Sequence, residues 1–281
     1  MNRMKYFQCG RYRFELEGEK YRPLVMGILN VTPDSFSDGG RFLSLSSALT
    51  RAEEMIAEGV DIIDIGAESS RPGSDPISFQ EELDRVMPVV EALKDCGKPL
   101  SIDTYKPEVM SAVLGESADM INDISGFQSK ASLEAVIGHS CGLCIMHMQG
   151  EPKTMQNNPH YDNVTEEVVA FLHKQVLKMT SAGIGANRIC VDPGFGFGKT
   201  LEDNMVLLKN MSFIHQSLEL PVLACLSRKS VVAALTGKPV EKRLAGNLAI
   251  ALAAVEHGAA IVRVHEVGET VDALKVWLAM R

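Results

Sequence analysis

A chain of 281 residues, 46% of them hydrophobic and 23% charged, is long enough for one large α/β domain with a substantial core. Its formal net charge of −8 argues against a nucleic-acid partner, because a phosphate backbone selects a basic face. The longest apolar runs, such as 244–255, are too short and too interrupted to span about 30 Å of hydrocarbon, so no membrane span is expected. The six cysteines are scattered through apolar stretches and nothing at the N-terminus reads as a signal peptide, which points to free thiols and a cytoplasmic, reducing location.

In residues 1–23, Tyr6, Cys9, Tyr12, Phe14 and Leu16 suggest a β-hairpin extension that closes the bottom of whatever follows. From Leu24 onward the chain alternates, eight times, between a short β-branched run ending in a polar residue and a longer segment of helical periodicity. The expected strands are Leu24–Asn30, Val60–Ile65, Leu100–Thr104, Met120–Asp123, Gly142–Met148, Ile189–Asp192, Val222–Ser227 and Ile261–His265. Between the first two, Leu45, Leu49, Ala52 and Ile56 share a helix face that Gly59 closes. Between the second and third, Phe79, Leu83, Val86, Val90 and Leu93 form a buried face behind a capping box of Ser78 and Glu81. After the sixth, Leu201, Met205, Leu208 and Met211 repeat the spacing. Eight such units in one domain over 1–281 match a (β/α)8 TIM barrel with a short N-terminal hairpin; a doubly wound open sheet is the alternative.

In a barrel the site is built at the C-terminal strand ends and by the loops that follow. Those ends carry Asn30, Asp64, Asp103, Asn122, His147, Asp192, the run Ser227-Arg228-Lys229-Ser230, and Arg263 with His265. One polar strand end is usually a solvated boundary; eight together in otherwise apolar strands point to a pocket. Arg263 and His265, two apart, face the same side. The loops 31–40 and 67–73 are rich in Gly, Pro, Ser and Asp, which suits lids and equally suits ordinary surface loops.

Three apparent motifs carry no such chemistry. The stretch 194–200 ends like a phosphate-binding loop, but Pro193 occupies the position of the first glycine that motif needs. Cys141 and Cys144 enter a strand three apart, so they face opposite sides and read as core residues rather than chelators. No histidine pair stands at metal-ligand spacing.

The segments 26–40, 61–73, 101–104, 121–124, 146–150, 192–199, 227–230 and 263–265 resemble, in order, the signatures of the dihydropteroate synthase family, with Ser70 where threonine is usual and Leu226 where methionine is common. The resemblance implies condensation of a pterin methyl diphosphate with 4-aminobenzoate on the folate pathway, Mg²⁺ as cofactor, a homodimer and sensitivity to sulfonamides. It implies that Asp103 and Lys229 are catalytic, and that Ser70, Asp103, Asn122, Asp192, Lys229, Arg263, Val264 and His265 bind the pterin diphosphate. It further implies that Phe36, Ser70, Arg71, Pro72, Lys229 and Ser230 hold 4-aminobenzoate, and that Asn30 touches the metal. The chemistry suits the residues: a carboxylate and an amide can read the alternating donors and acceptors of a pterin edge, and cationic groups can neutralise departing diphosphate. A methyltetrahydrofolate:corrinoid methyltransferase would share the Asp and Asn pattern without the first-loop signature or the diphosphate end. A catalytically silent binding homologue should have lost some of Asn30, Asp103, Asn122, Asp192, Lys229, Arg263 or His265, and none of these is missing.

Overall fold

The computed structural model describes residues 4–18, 21–31, 40–69 and 73–281. Two short strands, β1 (Tyr6–Cys9) and β2 (Tyr12–Glu15), pair antiparallel as the expected hairpin. Eight parallel strands follow: β3 (Leu24–Asn30), β4 (Ile62–Gly66), β5 (Leu100–Asp103), β6 (Met120–Asp123), β7 (Gly142–Met146), β8 (Ile189–Asp192), β9 (Val222–Ala224) and β10 (Ala259–Val264). They pair in sequence order and β10 returns to β3, so the sheet is a closed barrel; the open-sheet alternative is excluded. Around it run α1 (Gly40–Glu58), α2 (Phe79–Leu93), α3 (Pro107–Gly115), α4 (Lys130–Ile137), α5 (Val164–Ser181), α6 (Leu201–Lys209), α7 (Met211–Leu218), α8 (Ser230–Thr236), α9 (Leu244–Glu256) and α10 (Val267–Ala279). Among the described residues no helix is long and apolar enough to cross a membrane.

The period of two along each strand divides the barrel into layers. Met26, Ile62, Met120, Cys144, Cys190, Leu223 and Ile261 fill the interior at the N-terminal end, and the hairpin's Phe7 and Cys9 pack into the same cluster. The hairpin therefore plugs the bottom. Its turn is held there by Asp119, whose carboxylate accepts from Arg11 Nε (3.0 Å), Arg11 N (3.2 Å) and Leu100 N (3.1 Å). The alternate positions, such as Val25, Ile63, Ile121, Val191 and Val262, face outward into the core shared with the helices. Cys141 belongs to that outer core and Cys144 to the inner one, as their spacing requires, and all six cysteines are free.

Several expected bounds move. The strands stop at Asp103, Met146, Ala224 and Val264 rather than at Thr104, Met148, Ser227 and His265; Thr104 N and His147 N still each donate across the barrel, to Asn122 O and Asp192 O, while His265 N turns to Ser227 Oγ. The second strand begins at Ile62, after Asp61 has committed its carboxylate to Arg22 and to Val25 N. In α2, Phe79 is 45% exposed, and the buried face is Glu82, Val86, Val89, Val90 and Leu93. Ser78 Oγ does accept from Glu81 N (3.1 Å), but the Glu81 carboxylate pairs with Arg85, so only half of the capping box forms. Met211 starts α7 instead of continuing α6, whose own capping box joins Thr200 and Asp203.

Candidate active site

Two residues further along the inward face of four strands, the filling changes from apolar to polar. Asp64, Asn122, Asp192 and Arg263 follow Ile62, Met120, Cys190 and Ile261 on their strands, and Asp103 stands beside Asn122 in register. On β4, β6, β8 and β10 the inward places in the strand body are apolar and the next inward place holds Asp64, Asn122, Asp192 or Arg263, whereas β7 keeps Met146 there.

Arg263 lies across the middle of the ring. Its Nε donates to Asp64 Oδ2 (2.6 Å), its Nη2 to Asp103 Oδ2 (2.7 Å) and its Nη1 to Cys225 Sγ (3.5 Å). Burial works against its charge, yet Asp64 and Asp103 hold the guanidinium ionised well above its ordinary range. Asp64 is fully buried, takes a long contact from Asn122 Nδ2 (3.4 Å), and leaves Oδ1 without a partner. Burial pushes the Asp103 carboxyl up to about 7 against the pull of Arg263. Asp192 is raised by burial as well, opposed by Lys229 and by Gly194 N, which donates to Oδ1 at 2.7 Å.

Lys229 approaches from the loop after β9. Its ammonium donates to Phe195 O and stands 4.5 Å from the centre of the Phe197 ring. The preceding Arg228 has φ +60°, a conformation uncommon for a residue with a side chain, and it is fixed by Glu266 Oε1 at 2.6 Å and by Asn247 at its N–H. Ser230 is exposed at the head of α8. His265 Nδ1 lies 3.0 Å from Ser227 Oγ, which also donates to Glu266. Val264 faces the outer core, so only its backbone is directed toward the mouth.

The apolar wall is Ile124, Met146, Met155 and Phe197, with Tyr105 and Met148 packed against it. The glycine turn of 194–198 reaches this wall by close approach: a Cβ on Gly194 would stand 1.8 Å from His147 O, and one on Gly198 would stand 2.4 Å from Gln149 O. Lys199 closes that turn from inside, donating to Gly194 O (2.9 Å) and Phe197 O (3.0 Å) and lying 3.0 Å from His147 Nδ1. Burial brings Lys199 down to about 7 and His147 to about 3. The lysine that imitates a phosphate-binding loop is thus a strut beneath the pocket wall. His147, on the outward face against Phe171 and Tyr161, is not part of the ring.

A cavity of about 390 Å³ opens beside Asp103, lined by Ile124, Tyr105, Met148, Glu68 and Glu151 among others. Among the described residues predicted for the site, Asp103 alone lines this cavity; Asn122, Asp192 and Arg263 share its end of the barrel, Lys229 comes in from the loop after β9, Asn30 ends β3 close to Asp103, and His265 stands against Ser227. Phe36, Ser70, Arg71 and Pro72 lie outside the described residues. Asp64 and Phe197 take part without a role that the sequence alone assigns. Asp64 was visible as a polar strand end, and its pairing with Arg263 depends on β4 and β10 each standing one strand away from β3. Phe197 looked like part of a turn, and nothing local marks its ring as the one under Lys229.

Among the described residues no group of three or more His, Cys, Asp or Glu could hold a metal. What exists is a gap over Gly66, where a Cβ would stand 3.7 Å from Asn30 Oδ1 and 3.8 Å from Asp103 Oδ2. These are hard oxygen donors, few in number. They fit a small divalent cation that takes most of its ligands from a phosphate and water.

A parallel barrel with hydrogen-bonding acids and an amide at its mouth, an apolar wall and a lysine and arginine defines an enzyme that reads a polar heterocycle carrying an anion. Residues 26–265 match the family model described as pterin binding enzyme. The chain is 50% identical over 260 residues to the dihydropteroate synthase of Haemophilus influenzae, covering 92% of this chain and 94% of that one. The structure of Burkholderia cenocepacia dihydropteroate synthase complexed with 7,8-dihydropteroate superposes with a TM-score of 0.89 at 50% identity, over 98% of this chain and 96% of that one. The Xanthomonas albilineans dihydropteroate synthase with 4-aminobenzoic acid gives 0.91 at 43%, over 99% and 98%. The chain belongs to the pterin-binding enzymes and, within them, to the dihydropteroate synthase family.

Proposed function

We propose that this chain condenses a (7,8-dihydropterin-6-yl)methyl diphosphate with 4-aminobenzoate, giving 7,8-dihydropteroate and diphosphate in folate biosynthesis. The observation that carries the reading is the convergence of Asp103, Asn122, Asp192, Lys229 and Arg263 around one apolar-walled mouth. Asp192 and Asn122 accept from and donate to the pterin edge, while Phe197, Ile124 and Met146 face the ring. The amine nitrogen of 4-aminobenzoate attacks the exocyclic methylene, the C–O bond to diphosphate breaks with its electron pair leaving on oxygen, and the amine sheds one proton. Asp103, once ionised, stabilises positive charge spreading into the pterin, and Lys229 bridges pterin and neighbouring groups. Arg263 and His265 hold the diphosphate, with Asp64 and Asp103 orienting the guanidinium from below.

Mg²⁺ belongs to this reading, with Asn30 Oδ1 as its protein ligand beside Asp103. Bound there, it would neutralise charge on the leaving diphosphate. On the other side, Phe36, Ser70, Arg71, Pro72, Lys229 and Ser230 would hold 4-aminobenzoate, and sulfonamides, which imitate that substrate, would compete for the same place. A cytoplasmic location accords with six free cysteines. A homodimer accords with Val206, Phe213, Leu235 and Leu244, apolar and exposed on the adjoining helices α6 to α9; sedimentation would show two copies per particle.

The direct test is formation of dihydropteroate from the two substrates and Mg²⁺. Absence of product from folded protein, at any substrate order, would overturn the reading.

A further inference from the structure

Beside the ring, four side chains form a buried polar network that the reaction as drawn does not use. Lys106 Nζ is ion-paired with Glu68, and with Glu82 at 2.5 Å; Tyr105 OH donates to Glu68 Oε1 at 2.7 Å. Lys106 and Glu68 are little exposed, and Glu82 is 1% exposed with Oε1 unpartnered. Three charges withdrawn from water into one contact are costly unless geometry is well satisfied, so such a network is a poor device for stability alone. Its placement suggests another use.

Glu68 sits two residues past β4, and the chain runs from it directly into residues 70–72. The stem is gripped three times. Arg85 from α2 donates to Ala67 O (3.0 Å), Lys106 and Tyr105 hold the Glu68 carboxylate, and Ser74 Oγ donates to Ser69 O (2.5 Å). The gripping side is itself rigid. Lys106 precedes Pro107, which confines it to extended backbone; it has φ −92° and ψ 119° at the start of α3. Its N–H donates to Thr104 Oγ1 (3.2 Å), and Thr104 N donates to Asn122 O (3.1 Å). Asp103, Thr104, Tyr105 and Lys106 are consecutive, so the segment that presents Asp103 to the pterin side also fixes the stem of the loop carrying Ser70, Arg71 and Pro72.

We propose that Lys106, with Tyr105, is a positioning residue: through Glu68 it fixes residues 67–69 against the Asp103 end of the pterin pocket, on the side to which the synthase reading assigns 4-aminobenzoate. This rests on the synthase reading given above. The amine must meet the methylene carbon within a narrow approach, and a shift of about 1 Å can cost as much as 10²-fold. Glu82, from α2, balances the lysine's charge from behind and stops its ammonium from leaving Glu68.

The experiment compares Lys106→Met, Lys106→Met with Glu82→Gln, Lys106→Arg and Tyr105→Phe with the unaltered protein. The double variant leaves no unpaired buried Glu82 and covers the case in which Lys106→Met fails to fold. Steady-state kinetics should show KM for 4-aminobenzoate raised about tenfold or more in the two methionine variants, with a smaller change in kcat and with calorimetric binding of the pterin diphosphate unchanged. Lys106→Arg should recover most of the loss, and Tyr105→Phe should lose about threefold. Hydrogen exchange of the peptide spanning 66–69 should accelerate in the methionine variants. This readout needs no turnover, so it tests the grip even if the unaltered protein makes no dihydropteroate. Unchanged exchange together with unchanged KM for 4-aminobenzoate would overturn the proposal, as would an equal loss for both substrates that Lys106→Arg does not recover.

Discussion

The two ends of the barrel are built from the same strands, one pleat apart, and they solve burial in opposite ways. At the N-terminal end Met26, Ile62, Met120 and Ile261 close on Phe7 and Cys9, so area removed from water does the stabilising and any well-fitting apolar group would serve. At the C-terminal end Asp64, Asp103 and Arg263 are buried against one another, and each holds its place only because the others do. The plug can lose function-free volume; the ring cannot lose a member without stranding a charge. On β4, β6, β8 and β10 the apolar filling and the site residue are thus separated by two residues, which is why both can be dense in one small volume.

Changes at the two ends should therefore fail differently. Arg263→Ala leaves Asp64 and Asp103 buried without their cation, and it should cost about 3–5 kcal/mol of stability, read by denaturant unfolding, together with more than about 10²-fold in kcat/KM. Lys229→Ala removes a side chain whose direct contacts among the described residues are a carbonyl and a ring face, its charge reaching Asp192 only through space, so turnover should fall by about 10²-fold while the thermal midpoint stays put; a large drop in the midpoint would mean that Lys229 belongs with the struts. Phe7→Ala should do the reverse, costing about 3–5 kcal/mol while kcat and KM of the folded fraction remain those of the unaltered enzyme.

A pH series sharpens the contrast further. Asp103 has a folded pKa of about 7, above the usual carboxylate value, so between about pH 4 and 7 the folded chain binds more protons than the unfolded one. Ionising Asp103 therefore removes stability as pH rises through that window. Asp103→Asn should show a shallower decline there, and it should also flatten the rise in kcat/KM near pH 7. The smallest effect is expected at the plug's tether. Arg11 is half exposed and Asp119 keeps its bond to Leu100 N, so Arg11→Ala should cost about 1 kcal/mol or less and leave kinetics unaltered.

Much of this organisation is written locally. Eight β-branched runs with polar ends, separated by helical spacing, specify a parallel barrel and the end at which its chemistry stands, because strand period and helix period are properties of a few consecutive residues. The inward direction of Arg263 and the opposite faces of Cys141 and Cys144 follow from the same counting. Other features have no local signal. Phe79 lies on the right helical spacing, yet it is exposed because the contact surface beneath α2 is set by α3 and the β4 loop, where Glu82 meets Lys106 instead. Lys199 imitates a phosphate-binding lysine, and only the packing of the 194–198 turn against His147 and Gln149 makes it a strut. The pairing of Asp64 with Arg263, 199 positions away, and of Glu68 with Lys106 exists because the barrel closes. The sequence by itself determined the layers and the set of charged strand ends. Tertiary structure alone decided which charges share a partner, since an ion pair is fixed by distance across the barrel and not by distance along the chain.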